Sequence, residues 1–277
     1  MALRKNLVKQ ALQNKECQYG CGFGQLRSPE VLKLLAAAGF HWAFIDCEHG
    51  GFDLETVQDL CRIAPYVHFT PLVRVADLQY ALVARALDVG APGVIFPRVE
   101  SPELLAQAIS WTKFPPAGVR GYGLTPVNYD YAAVSIPQAI EHYNAETMVV
   151  LQIETQTALD RVEELLAVPG IDVVMIGPAD LSVSLGVPGE FTHPKFVAAY
   201  EKIRDACLSR GIAPGTHNRS LELMQMWKEK GFLFLGCANE TAMLFERASA
   251  IIRGISAHPG QIAEGAALPV RPSGSPS

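Results

Sequence analysis

The feature of the sequence that most constrains the fold is an eightfold alternation between short apolar runs and longer segments with helical spacing. The apolar runs are rich in β-branched residues and predict strands at 18–23, 42–46, 70–75, 93–97, 148–153, 172–176, 212–216 and 232–235. The segments between and after them predict helices at 29–38, 54–64, 79–87, 102–112, 158–167, 194–209, 221–230 and 241–254. Because strands that alternate with helices form parallel sheets, the pattern predicts an α/β fold, a (β/α)8 TIM barrel.

A doubly wound open sheet is the alternative that this alternation leaves open. The predicted strands are nearly continuous apolar runs, as expected for any parallel sheet that is buried on both faces. No glycine-rich GxGxxG turn follows the first predicted strand, which weakens the dinucleotide-binding version of the open sheet. The barrel is therefore the favoured fold, and no nucleotide cofactor is expected.

Composition excludes several classes of protein. The chain has 277 residues, of which 49% are hydrophobic and 18% charged, so it is too apolar to remain disordered. It has no unbroken run of about 18 apolar residues, which argues against a membrane helix. A formal net charge of −5, without any block of basic residues, argues against nucleic acid as a partner.

The cysteines and the N-terminal segment predict a cytoplasmic protein. Six cysteines are too few for a disulfide scaffold of this length, and none forms a CxxC pair, so reduced thiols are expected. The basic residues near the N-terminus are not followed by the apolar segment that a signal peptide needs.

The domain organisation predicted from the sequence is one barrel domain at residues 1–265 and a tail at 266–277. The tail is rich in Pro and Ser, a linker composition that predicts disorder. A second irregular segment, 114–135, is long for a connection inside a compact domain. Connections of this length are usually functional or contact another subunit.

Polar side chains occur where several predicted strands end, which is where a (β/α)8 barrel builds its active site. These residues are Asp46, His49, Arg74, Gln152, Glu154 and Asp180. Glu154 and Asp180 come from neighbouring strands and could together bind a hard divalent ion, with a chelating substrate and water as the remaining ligands. The alternative is a helix cap for Asp180 and a surface ion pair for Glu154.

His49 and Arg74 could act on a substrate at the same end of the barrel. Asp46 precedes His49 by three residues and could orient its imidazole, which makes His49 a candidate general base. A buried Arg74 is costly unless it faces a carboxylate or a developing oxyanion. The alternatives are a structural role for His49 and a structural ion pair for Arg74.

The turn that contains Gly177 and Ala179 leads into a short helical pattern, and its backbone N–H groups could bind a small carboxylate. With a metal ion and an arginine, such a site suits a 2-oxo acid. The metal would contact the keto and carboxylate oxygens, and the arginine would face the enolate oxygen.

Five ordered motifs carry a resemblance to a known family. They are IDCEH at 45–49, PLVR at 71–74, PPAGVRG at 115–121, QIET at 152–155 and IGPADLS at 176–182. They resemble the class II, metal-dependent pyruvate aldolases within the aldolase/citrate lyase group. That family includes 4-hydroxy-2-oxoheptanedioate (2,4-dihydroxyhept-2-ene-1,7-dioate) aldolase and 2-dehydro-3-deoxyglucarate aldolase. The resemblance covers roughly residues 20–255, nearly the whole predicted barrel.

The resemblance implies a phosphoenolpyruvate/pyruvate-type barrel and a lyase that cleaves a 4-hydroxy-2-oxo acid reversibly to pyruvate and an aldehyde through a metal-stabilised enolate. It implies that Glu154 and Asp180 hold Mg, Mn or Co, and that no Schiff-base lysine takes part. By the same resemblance, His49, partnered by Asp46, is the base and Arg74 stabilises the enolate. Pyruvate would be positioned by Gln152, Gly177 and Ala179.

The resemblance also implies a homohexamer, a trimer of dimers, in which the C-terminal helix is exchanged between subunits. The counterpart of Asp88 would reach a neighbouring site. Phe23 stands where many relatives have tryptophan and would form a wall of the substrate pocket. His217, Asn218 and Asn239 are more polar than the apolar stretches expected there and could contact the distal part of the aldehyde, or be ordinary loop polarity.

Two other functions remain open on the same barrel. One is a citrate-type or CoA-ester lyase, or a citrate-forming synthase. The other is a non-catalytic binding barrel, which the presence of His49, Arg74, Glu154 and Asp180 disfavours. The aldehyde acceptor, the native metal, the stereochemistry and the pathway do not follow from the sequence.

Overall fold

Eight parallel strands pair in sequence order and close into a barrel in the computed structural model, which describes residues 3–256. The predicted (β/α)8 fold is therefore confirmed. The strands are β1 Gln18–Phe23, β2 Trp42–Asp46, β3 Thr70–Arg74, β4 Gly93–Phe96, β5 Met148–Ile153, β6 Val173–Ile176, β7 Ala213–Asn218 and β8 Phe234–Asn239. The predicted tail and the predicted domain boundary at residue 265 lie outside the described residues.

Twelve α-helices occur among the described residues, and most surround the barrel. They are α1 Leu7–Gln13, α2 Glu30–Ala37, α3 Leu54–Ile63, α4 Tyr80–Asp88, α5 Pro102–Ser110, α6 Ile136–Glu146, α7 Gln156–Asp160, α8 Val162–Leu166, α9 Pro178–Ser184, α10 Pro194–Leu208, α11 Leu221–Glu229 and α12 Glu240–Ser256. Between residues 3 and 256 no helix is both long and apolar enough to cross a membrane.

The differences from the predicted elements have local causes. α1 and α6 were not predicted, although Asn6 caps α1 and a capping box of Ser135 and Gln138 starts α6. The predicted helix at 158–167 is two short helices, because Arg161 leaves helical geometry at φ −98° and ψ 15°. β7 continues beyond its predicted end through the polar residues His217 and Asn218, and β8 continues through Gly236, Cys237, Ala238 and Asn239.

The inside of the barrel is filled by alternate residues of the strands, as the period of two requires. Trp42 and Phe234 stack there with ring centroids 3.7 Å apart. Gly20 faces them from β1, and a Cβ at this position would lie 2.1 Å from the Trp42 ring, so only glycine fits. Val8 and Leu12 of α1 pack on the same cluster and close the N-terminal end of the barrel.

The last helix, α12, is attached to the barrel mainly at its first residue. Glu240 is buried, and its Oε1 accepts N–H bonds from Gly24, Gln25 and Leu26 at 3.0, 2.6 and 3.1 Å. No later residue of α12 is buried in the described chain. Its exposed apolar side chains are Leu244, Phe245, Ile251, Ile252 and Ile255.

Candidate active site

The inward-facing positions change from apolar to polar at the C-terminal end of the barrel. Alternate residues of each strand face the inside of the barrel. On β2 these inward-facing positions lead from Trp42 to Asp46, and on β3 they lead from Leu72 to Arg74. Above Val150 on β5, the same series leads to Gln152 and then to Glu154, just beyond the strand. Strand alternation therefore brings these predicted site residues to one end of the barrel, the barrel mouth.

Arg74 is the centre of a buried ion-pair group. Its Nε and Nη2 donate to Asp46 Oδ1 and Oδ2 at 3.0 and 2.6 Å, a bidentate pair. Burial would raise the pKa of Asp46, but its hydrogen bonds to Arg74, the arginine charge and the backbone N–H groups of His49 and Glu48 hold that pKa below its usual value. The guanidinium Cζ also lies 5.4 Å from the centre of the Phe44 ring. The arginine is thus held in one orientation.

Glu48 belongs to this group although the sequence analysis gave it no role. Its Oε2 lies 3.0 Å from Arg74 Nη1, and its side chain is only 9% exposed. The two groups are not aligned for a hydrogen bond, so the contact is an ion pair, and no described residue donates to Oε2. The signal that could have identified Glu48 is its place in the loop after β2, two residues beyond Asp46.

His49 lies at the rim of the mouth with 65% of its side chain exposed. Asp46 Oδ1 accepts the backbone N–H of His49 at 3.1 Å, and the imidazole instead approaches Glu48, with Nε2 to Oε1 at 3.8 Å. The structure therefore shows Asp46 orienting the loop that carries His49, while the imidazole itself is open to a ligand.

Glu154 is a buried carboxylate, 3% exposed, on the other side of the mouth. Its Oε1 accepts the backbone N–H of Arg98 at 2.8 Å, and its Oε2 accepts from the amide of Gln152. Arg98 has φ +55°, a left-handed conformation that is strained for a residue with a side chain and that accompanies its N–H bond to the carboxylate. Burial raises the pKa of Glu154, and the nearby charges of Asp180 and Glu48 raise it further.

The residues at this position fit a divalent cation. Within residues 3–256, Glu154 has no cationic partner, and two other carboxylates destabilise its charged form, so a bound cation would stabilise it. Gln152 Oε1 beside it is buried and has no donor in the described part of the chain. Asp180 is exposed in the first turn of α9. Residues 3–256 contain no group of three or more His, Cys, Asp or Glu spaced for a metal, so a site here needs oxygen ligands from substrate and water.

The turn before α9 differs from its prediction at the backbone N–H of Gly177. Gly177 N–H donates to Ile153 O at 3.0 Å, so this amide is already used and is not available to a substrate carboxylate. Ala179 lies in the first helical turn, where an N–H has no acceptor within its own helix. The glycine is still required: a Cβ at Gly177 would lie 2.7 Å from Glu154 Oε2.

Two predicted residues lie away from the mouth of their own barrel. Phe23 is 1% exposed and packs against Phe52, with ring centroids 5.6 Å apart, in the core between barrel and helices. This position does not agree with the prediction that Phe23 forms a pocket wall. Gly22 faces the inside of the barrel, and Phe23, the next residue along the strand, therefore faces outward. Asp88 ends α4 near the start of β4, at the opposite end of the barrel, where it accepts from buried Arg120 at 2.6 Å.

The polar residues that end β7 face in different directions. Thr216 is fully buried and its hydroxyl lies 3.0 Å from that of Tyr200, toward the helices. Asn218 Oδ1 accepts the backbone N–H groups of Arg219 and Ser220, so it shapes the turn into α11. His217, between them, faces the inside of the barrel.

Comparison with known proteins agrees with this geometry. Residues 20–245 match the family described as HpcH/HpaI aldolase/citrate lyase. The chain is 35% identical to a 4-hydroxy-2-oxo-heptane-1,7-dioate aldolase of Shigella boydii, over 89% of this chain and 94% of that protein. It is 36% identical to the protein of the same name in Salmonella typhi, over 89% and 93%.

Solved structures show the same similarity. The HpcH/HpaI aldolase from Desulfitobacterium hafniense superposes with a TM-score of 0.86 at 30% identity, covering 91% of this chain and 97% of that one. The citrate synthase SbnG superposes with a TM-score of 0.78 at 26% identity, covering 88% and 95%.

Proposed function

Because this chain belongs to the HpcH/HpaI aldolase/citrate lyase family, we propose that it is a metal-dependent aldolase that cleaves a 4-hydroxy-2-oxo acid to pyruvate and an aldehyde. The reaction is reversible, so the protein also adds pyruvate to an aldehyde. The observation that carries the proposal is that one barrel mouth contains both Arg74, which Asp46 holds in one orientation, and Glu154, a buried carboxylate whose charged form burial and nearby carboxylates destabilise. One group suits an enolate oxygen and the other suits a divalent ion.

Glu154 and Asp180 would hold the ion, with Mg, Mn and Co as the candidates. When bound, it supplies a Lewis acid that draws electrons from the keto group of the substrate and so weakens the bond between C3 and C4. The Ala179 amide and the Gln152 side chain would position the carboxylate and keto end of the pyruvate unit.

Arg74 would stabilise the enolate that forms as the C3–C4 bond breaks and its electron pair moves toward the keto oxygen. The two carboxylates that orient it prevent its rotation away from that oxygen. His49 would take the proton of the 4-hydroxyl group, which becomes the aldehyde oxygen. Glu48 Oε1 lies 3.8 Å from His49 Nε2.

A homohexameric assembly, as trimer of dimers, is part of this proposal. The support for this assembly is the apolar face of α12, which is exposed because residues 3–256 of the same chain do not cover it. Exchange of this helix between subunits would bury it. Asp88 lies at the end of the barrel opposite its own site, so any active site that it reaches belongs to another subunit. A cytoplasmic location, in keeping with six free cysteines, belongs to the same proposal.

A citrate-type lyase or citrate-forming synthase is the second candidate, favoured by the superposition on citrate synthase SbnG. A substrate panel separates the two. We expect pyruvate release, coupled to NADH oxidation by lactate dehydrogenase, from 4-hydroxy-2-oxo acids of several lengths. Citrate and citryl-CoA would instead release oxaloacetate, which malate dehydrogenase couples to NADH oxidation, and we expect none above background from either. Oxaloacetate release from citrate or citryl-CoA without pyruvate release from any hydroxy-oxo acid would support the alternative and contradict the aldolase.

A further inference from the structure

A buried glutamate joins the end of β8 to the loop that follows β1. Glu240, the first residue of α12, is 4% exposed, and its Oε1 accepts the backbone N–H groups of Gly24, Gln25 and Leu26. These residues belong to the loop after β1, the β1 loop (24–27). Three N–H groups that converge on one carboxylate oxygen make strong, charge-assisted hydrogen bonds. The β1 loop is therefore held in place from the start of α12.

The second oxygen of Glu240 shows that packing alone does not account for this residue. Oε2 is buried, and no residue between 3 and 256 donates a hydrogen bond to it. A buried carboxylate is costly unless its hydrogen bonds compensate for the water that it loses, and an oxygen without a donor adds to that cost. The bonds that Oε1 accepts from the β1 loop are thus the main contacts that keep the charged group in this position.

The β1 loop lies directly against the loop that carries the candidate base, the β2 loop (47–51). A Cβ at Gly50 would lie only 3.0 Å from the backbone oxygen of Gly24, so the two backbones are in contact there. Arg27 adds a second contact, because its Nη2 donates to the backbone oxygen of Gly51 at 3.0 Å. A displacement of the β1 loop would therefore displace the β2 loop as well.

The groups proposed to act on the enolate do not depend on this contact. Asp46 and Arg74 are partners in the register of β2 and β3, and both oxygens of Asp46 accept from the guanidinium. Glu154 follows β5, on the other side of the mouth. Glu48 would move with the β2 loop, but the bidentate pair would still orient Arg74. The sheet thus positions the enolate groups, whereas the candidate base lies on a loop.

Resting on the proposed function, we propose that Glu240 is a positioning residue for His49. By holding the β1 loop it fixes the β2 loop, and so sets the distance from the His49 imidazole to the 4-hydroxyl group whose proton this residue takes. Glu240 acts through the two loops and does not touch the substrate. A catalytic group that is misplaced by about 1 Å can cost about 100-fold in rate, so loss of the Glu240 hydrogen bonds should have a measurable effect.

Two reactions of the same protein sample separate this role from a general loss of structure. Cleavage of a 4-hydroxy-2-oxo acid requires removal of the hydroxyl proton. Decarboxylation of oxaloacetate breaks the C3–C4 bond with loss of CO2 and leaves the electron pair in the same pyruvate enolate, which then takes a proton at C3, so no hydroxyl proton is removed. Pyruvate from both reactions is measured with lactate dehydrogenase and corrected for decarboxylation by the metal alone. The ratio of the two rates does not depend on the folded fraction.

Glu240→Ala removes the acceptor of the three N–H groups. We expect kcat for cleavage to fall about 10- to 100-fold with KM within about threefold, while decarboxylation of oxaloacetate also stays within about threefold. Glu240→Gln keeps an acceptor oxygen at the same length and should recover most of the lost cleavage. Glu103→Ala is the matched control, because Glu103 is an exposed glutamate in the first turn of α5, and it should leave the ratio unchanged.

The outcomes separate failure of this inference from failure of the proposed function. Unchanged cleavage in Glu240→Ala would overturn the positioning role, and so would an equal loss of both reactions, which is the behaviour of a purely structural residue. A Glu240→Gln variant as impaired as Glu240→Ala would show that the accepted hydrogen bonds are not the cause. Failure of the proposed function is seen in the wild-type protein instead, which would release pyruvate from no 4-hydroxy-2-oxo acid.

Discussion

Glu154→Gln lowers metal-supported pyruvate release about a thousandfold, the largest effect expected of any single substitution here. Glutamine removes the charge that binds the cation and changes little else in shape. The new amide can accept from Arg98 N–H through its oxygen. Gln152 Nε2 donates to this carboxylate in the wild-type protein, so the Gln152 amide would flip and let its Oε1, which has no donor within residues 3–256, accept from the new NH₂. The variant should therefore fold.

Glu154→Gln should lose activity without losing stability. Wild-type Glu154 is buried near two other carboxylates, and the substitution removes that repulsion, so the melting temperature of metal-free protein should stay the same or rise. Glu164→Gln is the control, because Glu164 is exposed and pairs with Arg161, at 2.7 Å, on the surface of α8. Retention of more than a tenth of the activity by Glu154→Gln would rule out its role as a metal ligand.

Arg74→Lys should lower kcat/KM by about 100- to 1,000-fold, the loss typical of removing one donor from a developing oxyanion. Lysine keeps the charge but cannot make the bidentate contact with Asp46 and the ion pair with Glu48 together. Arg161→Lys, a change in an exposed pair, should have little effect. Full activity per folded molecule in Arg74→Lys would reduce Arg74 to a structural ion pair.

Removing the guanidinium also has a pH-dependent cost in stability. Arg74→Met leaves Asp46 and Glu48 buried without a cation and should cost about 3–5 kcal/mol at neutral pH. In wild-type protein the folded-state pKa of Asp46 lies below the ordinary value of 3.8, so its stabilisation is present above that value and is lost as the pH falls through the folded-state pKa. The stability difference between the two proteins should therefore narrow in acid, as measured by urea unfolding at several pH values.

The barrel could be predicted because its strands are apolar runs buried on both faces. The predicted end of β7 was wrong because this strand continues through polar His217 and Asn218 to the mouth. The face of the sheet to which each side chain points was harder to predict, because a shift of one residue moves a side chain to the opposite face. The family resemblance placed Phe23 in the pocket wall, whereas strand alternation puts it in the outer core and its neighbour Gly22 on the inside.

The candidate site was predictable in its residues more than in its contacts. Asp46, Arg74 and Glu154 could be placed at the mouth because each is a charged residue at the end of an apolar strand. The partners could not be predicted, because they depend on backbone geometry. Examples are the left-handed Arg98, whose N–H reaches Glu154, and the Gly177 N–H that bonds to Ile153. Glu48 was missed because one loop carries three ionisable side chains close together.

The central claim is that this barrel mouth cleaves a 4-hydroxy-2-oxo acid with the help of a divalent ion. Its most direct test is pyruvate release by wild-type protein before chelation, after exhaustive dialysis against EDTA, and after re-addition of Mg, Mn or Co. Release should fall at least a hundredfold in the stripped protein and return with at least one of these ions. The Glu154→Gln variant should regain nothing. Undiminished release by metal-free protein would contradict the claim.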